Sequence, residues 1–348
     1  MHCGVGVYTA LLAKSLAMQR GVSVRVLTSI RGDVRANDLD VMFTIRGWDL
    51  KNLFPIIRDA MRWSPDIVHV QYPTQAYGEN IAPWLLPLAF KCCGFSVVQT
   101  WHELMPPQRW LRLLIALAAK HVVVVRHNFE VSLPAWFRAL LSSNHVRFIP
   151  NAAQSPSVSQ TEVEMHALRG RYLRDGKKLV VYFGFMYPHK GVERLFEIAD
   201  PQSHHLVLAG HIDEADPYHR QLRELSAETR WRDSVTLAGY LPDDELARLI
   251  MSADAAVFPF RKGAEPWNST VASATALGTF VIVTSTSKLG YDAENNIFYS
   301  APDNLVAMRS ALQEFSGRKI RYPIDCVASA WESIATAYID VYRQITGG

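Results

Sequence analysis

The chain has 348 residues, long for one hydrophobic core and comfortable for two. Hydrophobic residues make up 49% and charged residues 20%, an ordinary globular balance with apolar material for two buried sheets. A net charge of +3 is too small to argue for a nucleic-acid partner.

Short apolar runs alternate with helix-length amphipathic segments from end to end. Gly4-Val5-Gly6 leads directly into a helical stretch, 7–18. A glycine-rich loop normally follows a strand, and no residues stand ahead of this one to form it. The first strand of a doubly wound sheet is usually central, so its neighbours would be left without backbone partners. The expectation is a natural chain that begins upstream, or a gap in the first sheet. Runs 24–27, 67–70, 96–98, 122–125 and 146–149 read as buried parallel strands, with helices at 50–63 and 108–119. The alternation pauses at 150–156, which is rich in turn formers. A charged helical segment follows at 161–173. Runs 179–183, 206–208, 235–237, 255–258 and 280–283 read as strands of a second sheet. Asp243, Asp244 and Glu245 open the helix ahead of the 255–258 strand, where the positive helix end favours acids. The last segment, 328–345, is one long helix with Trp331, Ile334, Tyr338 and Tyr342 at helical spacing.

This alternation implies right-handed crossovers and doubly wound sheets, an α/β fold with two Rossmann-like domains. The expected parts are 1–155, 156–325 and a C-terminal helix at 326–348. Cys3, Cys92, Cys93 and Cys326 show no metal-type spacing, and adjacent Cys92 and Cys93 are poor disulfide partners, so a reducing cytoplasm fits best. No secretory signal is expected. The longest apolar region, 111–125, is cut by Arg112, Lys120 and His121, short of the about 20 apolar residues a span needs. The run 81–90 is shorter still and holds two prolines.

Several segments can carry chemistry. His2-Cys3-Gly4-Val5-Gly6-Val7-Tyr8-Thr9 opens the chain, and Phe148-Ile149-Pro150-Asn151 closes its first half. Phe183-Gly184-Phe185-Met186-Tyr187-Pro188-His189-Lys190-Gly191 follows a strand. Leu206-Val207-Leu208-Ala209-Gly210 and Ala238-Gly239-Tyr240-Leu241 are two further strand ends. Ala253-Asp254-Ala255 precedes Glu265-Pro266-Trp267-Asn268-Ser269, and 274–278 continues as a small-residue helix. In this order and spacing the set resembles the retaining GT-B glycosyltransferases of family four over nearly the whole chain. The resemblance implies two Rossmann-like domains facing across a cleft, with the C-terminal helix packing back on the first.

A nucleotide-sugar donor carries a diphosphate, which needs backbone N–H groups at helix starts and at least one cation. Lys190, in a loop entering a helix beside Gly191, suits a phosphate-binding amine; outside this pattern a lysine is ordinarily a solvated surface residue. Glu265 matches the family glutamate that touches the donor sugar, and a carboxylate accepts hydrogen bonds from sugar hydroxyls. Trp267, Asn268, Ser269 and Thr270 would present amides and hydroxyls to the diphosphate. Asn268, Ser269 and Thr270 are also good N-cap residues, and both roles can hold together. His102 follows the 96–100 strand region, at an end that faces the ligand crevice in such sheets. The resemblance sets it beside the transferred sugar, whereas a lone histidine is more often a hydrogen-bonded structural residue. Gly4 and Gly6 would let the backbone approach the donor diphosphate or an acceptor oxygen, or form only a tight turn.

Two departures stand out. Ser273 occupies the place of the family's second glutamate, which grips the nucleotide ribose, and a serine bonds less strongly than a carboxylate. Phe185 and Tyr187 fill the stretch where the family has an arginine ahead of the loop lysine. Arg261 and Lys262 either substitute for that cation or form a solvated basic pair. The resemblance implies retaining transfer of a sugar from a nucleotide-diphosphate donor to a glycan, lipid or small-molecule acceptor. It implies no metal and no cofactor, His102 and Glu265 as catalytic, and a cytoplasmic place with a peripheral contact on the inner membrane face left open. The departures keep a non-catalytic GT-B partner subunit in play, and a GT-B nucleotide-sugar isomerase would need further acid–base carboxylates.

Overall fold

The computed structural model describes residues 4–29, 40–72, 77–78, 80–103, 117, 120–127, 129–142, 145–154, 158–173, 176–264, 268–320 and 326–347. The chain divides into two compact units, one of residues 1–151 with 329–348 and one of residues 152–328. The expected helix at 108–119 lies outside the described residues, save Leu117.

The first unit opens with α1 (Gly4–Ala17), followed by β1 (Arg25–Ser29) and β2 (Asp40–Ile45), which pair in parallel with Arg25 opposite Asp40. The chain continues through α2 (Leu53–Trp63), β3 (Ile67–Tyr72), α3 (Ala82–Cys92), β4 (Ser96–Trp101), β5 (His121–Val124), α4 (Ala135–Leu141) and β6 (His145–Phe148). Strands β3 to β6 form a four-stranded parallel sheet in chain order. The expected gap in the first sheet is present: among the described residues no backbone pairing joins β1 to β3. Leu27 of β1 and Ile45 of β2 nevertheless pack into the same core as Val70 and Tyr72 of β3. The strands β1 and β3 are more open than β4 and β5. Every residue of β1 is half-buried, whereas β4 and β5 are buried beyond their first residue.

α3 shows how a run with two prolines becomes a helix. Pro83 stands in the first turn, where its missing N–H is not needed. Pro87 lies inside the helix and cannot donate to the carbonyl four residues back, which is Pro83. The buried Tyr72 hydroxyl donates to that Pro83 carbonyl instead, and the Tyr72 ring stacks on Trp84.

The second unit contains α5 (Glu162–Tyr172), β7 (Lys178–Phe183), α6 (Leu195–Ile198), β8 (His204–Ala209), α7 (Pro217–Ala227), β9 (Val235–Gly239), α8 (Asp243–Ser252), β10 (Ala255–Phe258), α9 (Ser269–Ala276), β11 (Val281–Thr284), β12 (Gly290–Asp292), β13 (Ile297–Ser300) and α10 (Leu305–Phe315). Its sheet is unbroken and seven-stranded, in the order β12-β13-β11-β10-β7-β8-β9, with only β12 antiparallel. β8, β10 and β11 are buried throughout, as a parallel sheet covered on both faces requires. Thr161 and Glu164 form a reciprocal capping box at the start of α5. The last helix, α11 (Cys326–Thr346), belongs with the first unit from Ser329 onward. There the Tyr338 hydroxyl meets those of Thr100 and Tyr8, at 2.8 and 3.0 Å, within the buried interior. No helix among the described residues is long and apolar enough to cross a membrane.

Asp254 ties α5 to the centre of the second sheet. Its carboxylate accepts from the Leu179 backbone N–H at 2.6 Å and from the Arg169 guanidinium at 2.8 Å. Asp254→Ala leaves a buried strand amide unpaired and is expected to lower the stability of this unit by about 2 kcal/mol, read in urea unfolding. Asp254→Asn, which keeps an acceptor oxygen, is expected to lose less.

Candidate functional site

The second sheet changes winding direction at β7. β8 and β9 add on one side, and β10 and β11 add on the other. The loops that leave the carboxyl ends of β7 and β10 therefore part, and such a switch point is where doubly wound sheets hold ligands. Lys190 stands in the loop after β7, and Asn268 to Thr270 stand in the segment that follows β10 and starts α9.

The β7 loop is fastened at many points. Tyr182 Oη donates to the Phe185 carbonyl at 2.7 Å. His219 takes the Asp213 N–H on Nδ1 at 2.9 Å, which leaves Nε2–H to donate to the Met186 carbonyl at 2.9 Å. The Val192 N–H donates to the Tyr218 hydroxyl at 2.9 Å, and that hydroxyl donates to Glu193. Burial, with Glu193 beside it, pushes the Tyr218 hydroxyl above its ordinary pKa, so it stays a donor. Arg261 pairs with Glu193 and donates to the Pro188 carbonyl at 3.1 Å. Arg261 is exposed, as the solvated alternative has it, and it also braces the loop. The Lys190 ammonium lies over the Phe260 ring, 4.4 Å from its centroid, a contact that steadies a cation. Gly191 carries the backbone at φ 65°, and a Cβ there would overlap the Pro259 carbonyl oxygen. Only glycine fits that close approach of the β7 and β10 loops. Gly184, at φ 109°, passes against the Thr270 side chain, so the loop touches the start of α9.

Asn268 caps α9: its side-chain oxygen accepts from the Thr270 N–H at 3.1 Å and the Val271 N–H at 3.2 Å. Those two amides are engaged within the helix's own cap, which is the N-cap alternative of the sequence analysis. Ser273 is buried, and its hydroxyl accepts from the Gln154 N–H at 3.0 Å. Phe185, Tyr187 and His189, where the family arginine was expected, form a row of stacked rings 5.7 and 5.6 Å apart. The structure thus places Lys190 and Gly191 on the loop after β7, and Asn268, Ser269, Thr270 and Ser273 at the start of α9 after β10. Glu265 and Trp267 lie outside the described residues.

In the first unit, His102 follows β4 directly, and its N–H donates to the Tyr72 carbonyl at 2.6 Å. Its Nε2 lies 2.7 Å from Gln71 Oε1. Gln71 Nε2 lies 3.3 Å from His69 Nε2, which also meets Thr100 Oγ1 at 2.8 Å. His69 Nδ1 meets the Tyr342 hydroxyl at 2.7 Å. Tyr8, from the second turn of α1, sets its ring edge-on to His102 with centroids 4.6 Å apart. Burial lowers His102 to about 3, and burial followed by the neighbouring His102 lowers His69 to about 3, so both rings are neutral at ordinary pH. Gly4 and Gly6 are exposed residues of the first turn of α1, a correction to the loop expected there. The Thr9 hydroxyl donates to the Val5 carbonyl four residues back at 2.7 Å, so this turn already follows helical register. Gly4 has open space where a Cβ would stand. Sequence reasoning passed over Gln71, His69 and Thr100, although His69 and Gln71, like Thr100 and His102, alternate as polar residues in otherwise apolar strands.

Residues 167–295 match the model of a family described as Glycosyl transferases group 1, and residues 3–154 match that of Glycosyltransferase Family 4. The chain is 30% identical over 198 residues to an uncharacterised glycosyltransferase of Methanocaldococcus jannaschii. That match takes in 52% of this chain and spans about half, 49%, of the relative. Among solved structures, sucrose-phosphate synthase from Thermosynechococcus elongatus is similar with a TM-score of 0.68 at 18% identity, covering 99% of this chain and 94% of that one. Anabaena HepE in complex with UDP and glucose gives 0.66 at 14%, covering 99% and 92%. A glycosyltransferase from Rickettsia africae gives 0.68 at 17%, covering 98% and 95%. At these identities the likeness to solved structures is one of fold.

The depressed histidines make stability depend on pH. An unfolded chain takes up a proton on each near 6.5, whereas the folded chain resists until about 3. Stability is therefore full above about pH 6.5 and falls as the pH drops from there toward 3. Between pH 6 and 4.5, unfolding free energy is expected to fall by up to about 1.4 kcal/mol per pH unit for each ring. His102→Phe should flatten that slope in chemical denaturation, and an unchanged slope would contradict the assignment.

Proposed function

The chain belongs to the group 1 glycosyltransferases of GT-B fold, and from that premise we propose that it moves a sugar from a nucleotide-diphosphate donor to an acceptor hydroxyl with retention at the anomeric carbon. The observation that carries the reading is the switch point of the second unit, where a braced loop after β7 holds Lys190 over the Phe260 ring and brings Gly184 up to Thr270 at the start of α9. A diphosphate leaving group gathers negative charge as the sugar departs, and a fixed ammonium with a helix start is suited to it. The Ser269 and Thr270 hydroxyls add donors there. Two of the helix-start amides are engaged by Asn268, so Lys190 takes the larger share of the charge. Ser273, buried and bonded to Gln154, shapes the wall of the seat. The HepE structure that this chain resembles holds UDP and glucose, which supports a nucleotide-sugar donor. Glu265 would orient the donor sugar, and the same family resemblance implies a catalytic part for His102.

A second reading, a GT-B partner subunit without catalysis, draws support from the burial of Ser273 and from the ring stack in the arginine's place. Calorimetry against UDP, GDP and ADP sugars separates the two. Binding of one of them by the folded chain is expected, and no binding would leave only the partner reading. Lys190→Ala should weaken nucleoside-diphosphate binding by about 1.5–3 kcal/mol, roughly ten- to hundredfold. Unchanged affinity would remove Lys190 from the seat. Turnover is expected to be indifferent to EDTA, since the proposed charge stabilisation uses Lys190 rather than a metal.

A further inference from the structure

A second group of ionisable side chains stands at the amino-terminal edge of the first sheet, the opposite end from His102. His121 opens β5 and His145 opens β6, and the two pair directly across the ladder. Their rings stack with centroids 4.8 Å apart and planes 15° apart. Side chains two residues apart on a strand share a face, so Arg147 lies on the face of His145. With Gln344 of α11, these three line a hollow of about 380 Å³ that also has Val146 and Val341 in its wall. A second hollow of about 320 Å³ borders His121 as well and is lined by Lys120 and by Lys91 from the end of α3. The charge here is lopsided. The carboxylate that pairs with this group is Asp340, half exposed, 3.9 Å from Arg147 and 3.8 Å from Arg343. Exposed pairs at such distances are weak. Burial, followed by the neighbouring His145 and Lys120, holds His121 below the ordinary histidine range. Like charges gathered in this way are relieved by an anion.

We propose that the hollow between the start of β5 and β6 and the end of α11 is an anion site, in which His121, His145 and Arg147 hold the phosphate group of a small phosphomonoester. A guanidinium presents two parallel N–H groups to a phosphate, and each imidazole adds one. The hollow is larger than a phosphate and falls in the size range of small-molecule sites, so a short organic body has room against Val341 and Gln344. The site uses no residue of the second unit and does not rest on the transferase reading. A bound dianion favours the protonated rings, so it draws the His121 proton affinity back up and is itself held more tightly as the pH falls. These are two sides of one linkage. The competing role is a defensive one: β6 is the edge strand of its sheet, and charges on an edge discourage a further strand from adding. That role needs no hollow and gives no saturable response to an anion. Val341 and Gln344 also flank Tyr342, whose hydroxyl meets His69. An occupied hollow therefore steadies the helix end that completes the polar network around His102.

The test is a titration of the full chain, labelled with ring-¹³C histidine, with sulfate, inorganic phosphate and glycerol phosphate at constant ionic strength. The His121 and His145 ring signals are expected to move together and to saturate with each probe. Sulfate stays a dianion throughout, so its pH dependence reports the protein alone. It is expected to bind more tightly at pH 6 than at pH 7.5, by up to about tenfold per pH unit for each proton taken up. Glycerol phosphate is expected to bind more tightly than inorganic phosphate. Arg147→Gln, checked for folding by its thermal transition, is expected to weaken all three probes about tenfold or more. Lys190→Ala, which alters the seat proposed for the donor, is expected to leave the response in place. Signals that fail to saturate, that move equally with chloride, or that respond unchanged in both Arg147→Gln and His145→Gln would overturn the site. Saturation by inorganic phosphate with none by glycerol phosphate would overturn the phosphomonoester assignment.

Discussion

Between β7 and β10 the second sheet reverses the side on which new strands are added, and the backbone there has no neighbouring crossover to close it over. The loops leaving those two strands must diverge, and whatever they carry is presented at the parting. The rest of the seat follows from making that opening rigid. Tyr182, His219, Tyr218 and Arg261 hold the β7 loop from four directions, and Gly191 allows it to lie against the Pro259 carbonyl. An ammonium on a loop so fastened loses little freedom when an anion arrives, which is how preorganisation favours binding. The Arg261–Glu193 pair is half exposed on the arginine side, so its worth lies in fixing the loop geometry more than in net electrostatic energy.

The first unit is built on a different chemistry. Its polar residues around His102 are uncharged at ordinary pH and linked by hydrogen bonds that each require the next. Such a network is stable in a buried place only when every member is satisfied. α11 completes it, because Tyr338 and Tyr342 supply the hydroxyls at its far end. A helix distant in sequence is thus coupled to a ring at the end of β4. The two units differ in chemistry, with a cation and a helix start at the strand ends of one and neutral directional groups at the end of β4 in the other.

Much of this was legible in the residues. Runs such as Val122 to Val125 and Leu179 to Phe183 are β-branched or aromatic and covered on both faces, so their burial writes itself into the sequence. A glycine-rich start with no strand run before it led to the expectation of a gap in the first sheet, and among the described residues β1 and β2 do not pair with β3 to β6. β12 and β13 were passed over because they are short, and these two and β2 are mixed in polarity and lie at or near sheet edges, where no long apolar run is needed. α3 was hidden by Pro87, whose missing hydrogen bond is made good by Tyr72, a residue on another element. Lys190 and the α9 start could be found because an anion seat needs a cation and a helix end close in sequence to strand ends. The tie between Ser273 and the Gln154 backbone, the Arg261 brace and the Gln71–His102 contact are pairings across the fold. No spacing announces them, although the alternation His69-Val70-Gln71 was a visible sign of a polar stripe.

The central claim, that the opening between β7 and β10 receives a nucleoside diphosphate, is met most directly by hydrogen–deuterium exchange of the full chain with and without UDP, GDP and ADP at saturating concentration. The account predicts slowed exchange in peptides covering 184–194 and 268–276 with one of these ligands, and little change in β8 and β11, which are already buried. Protection absent from both peptides, or confined to other segments while the ligand is bound, would contradict it.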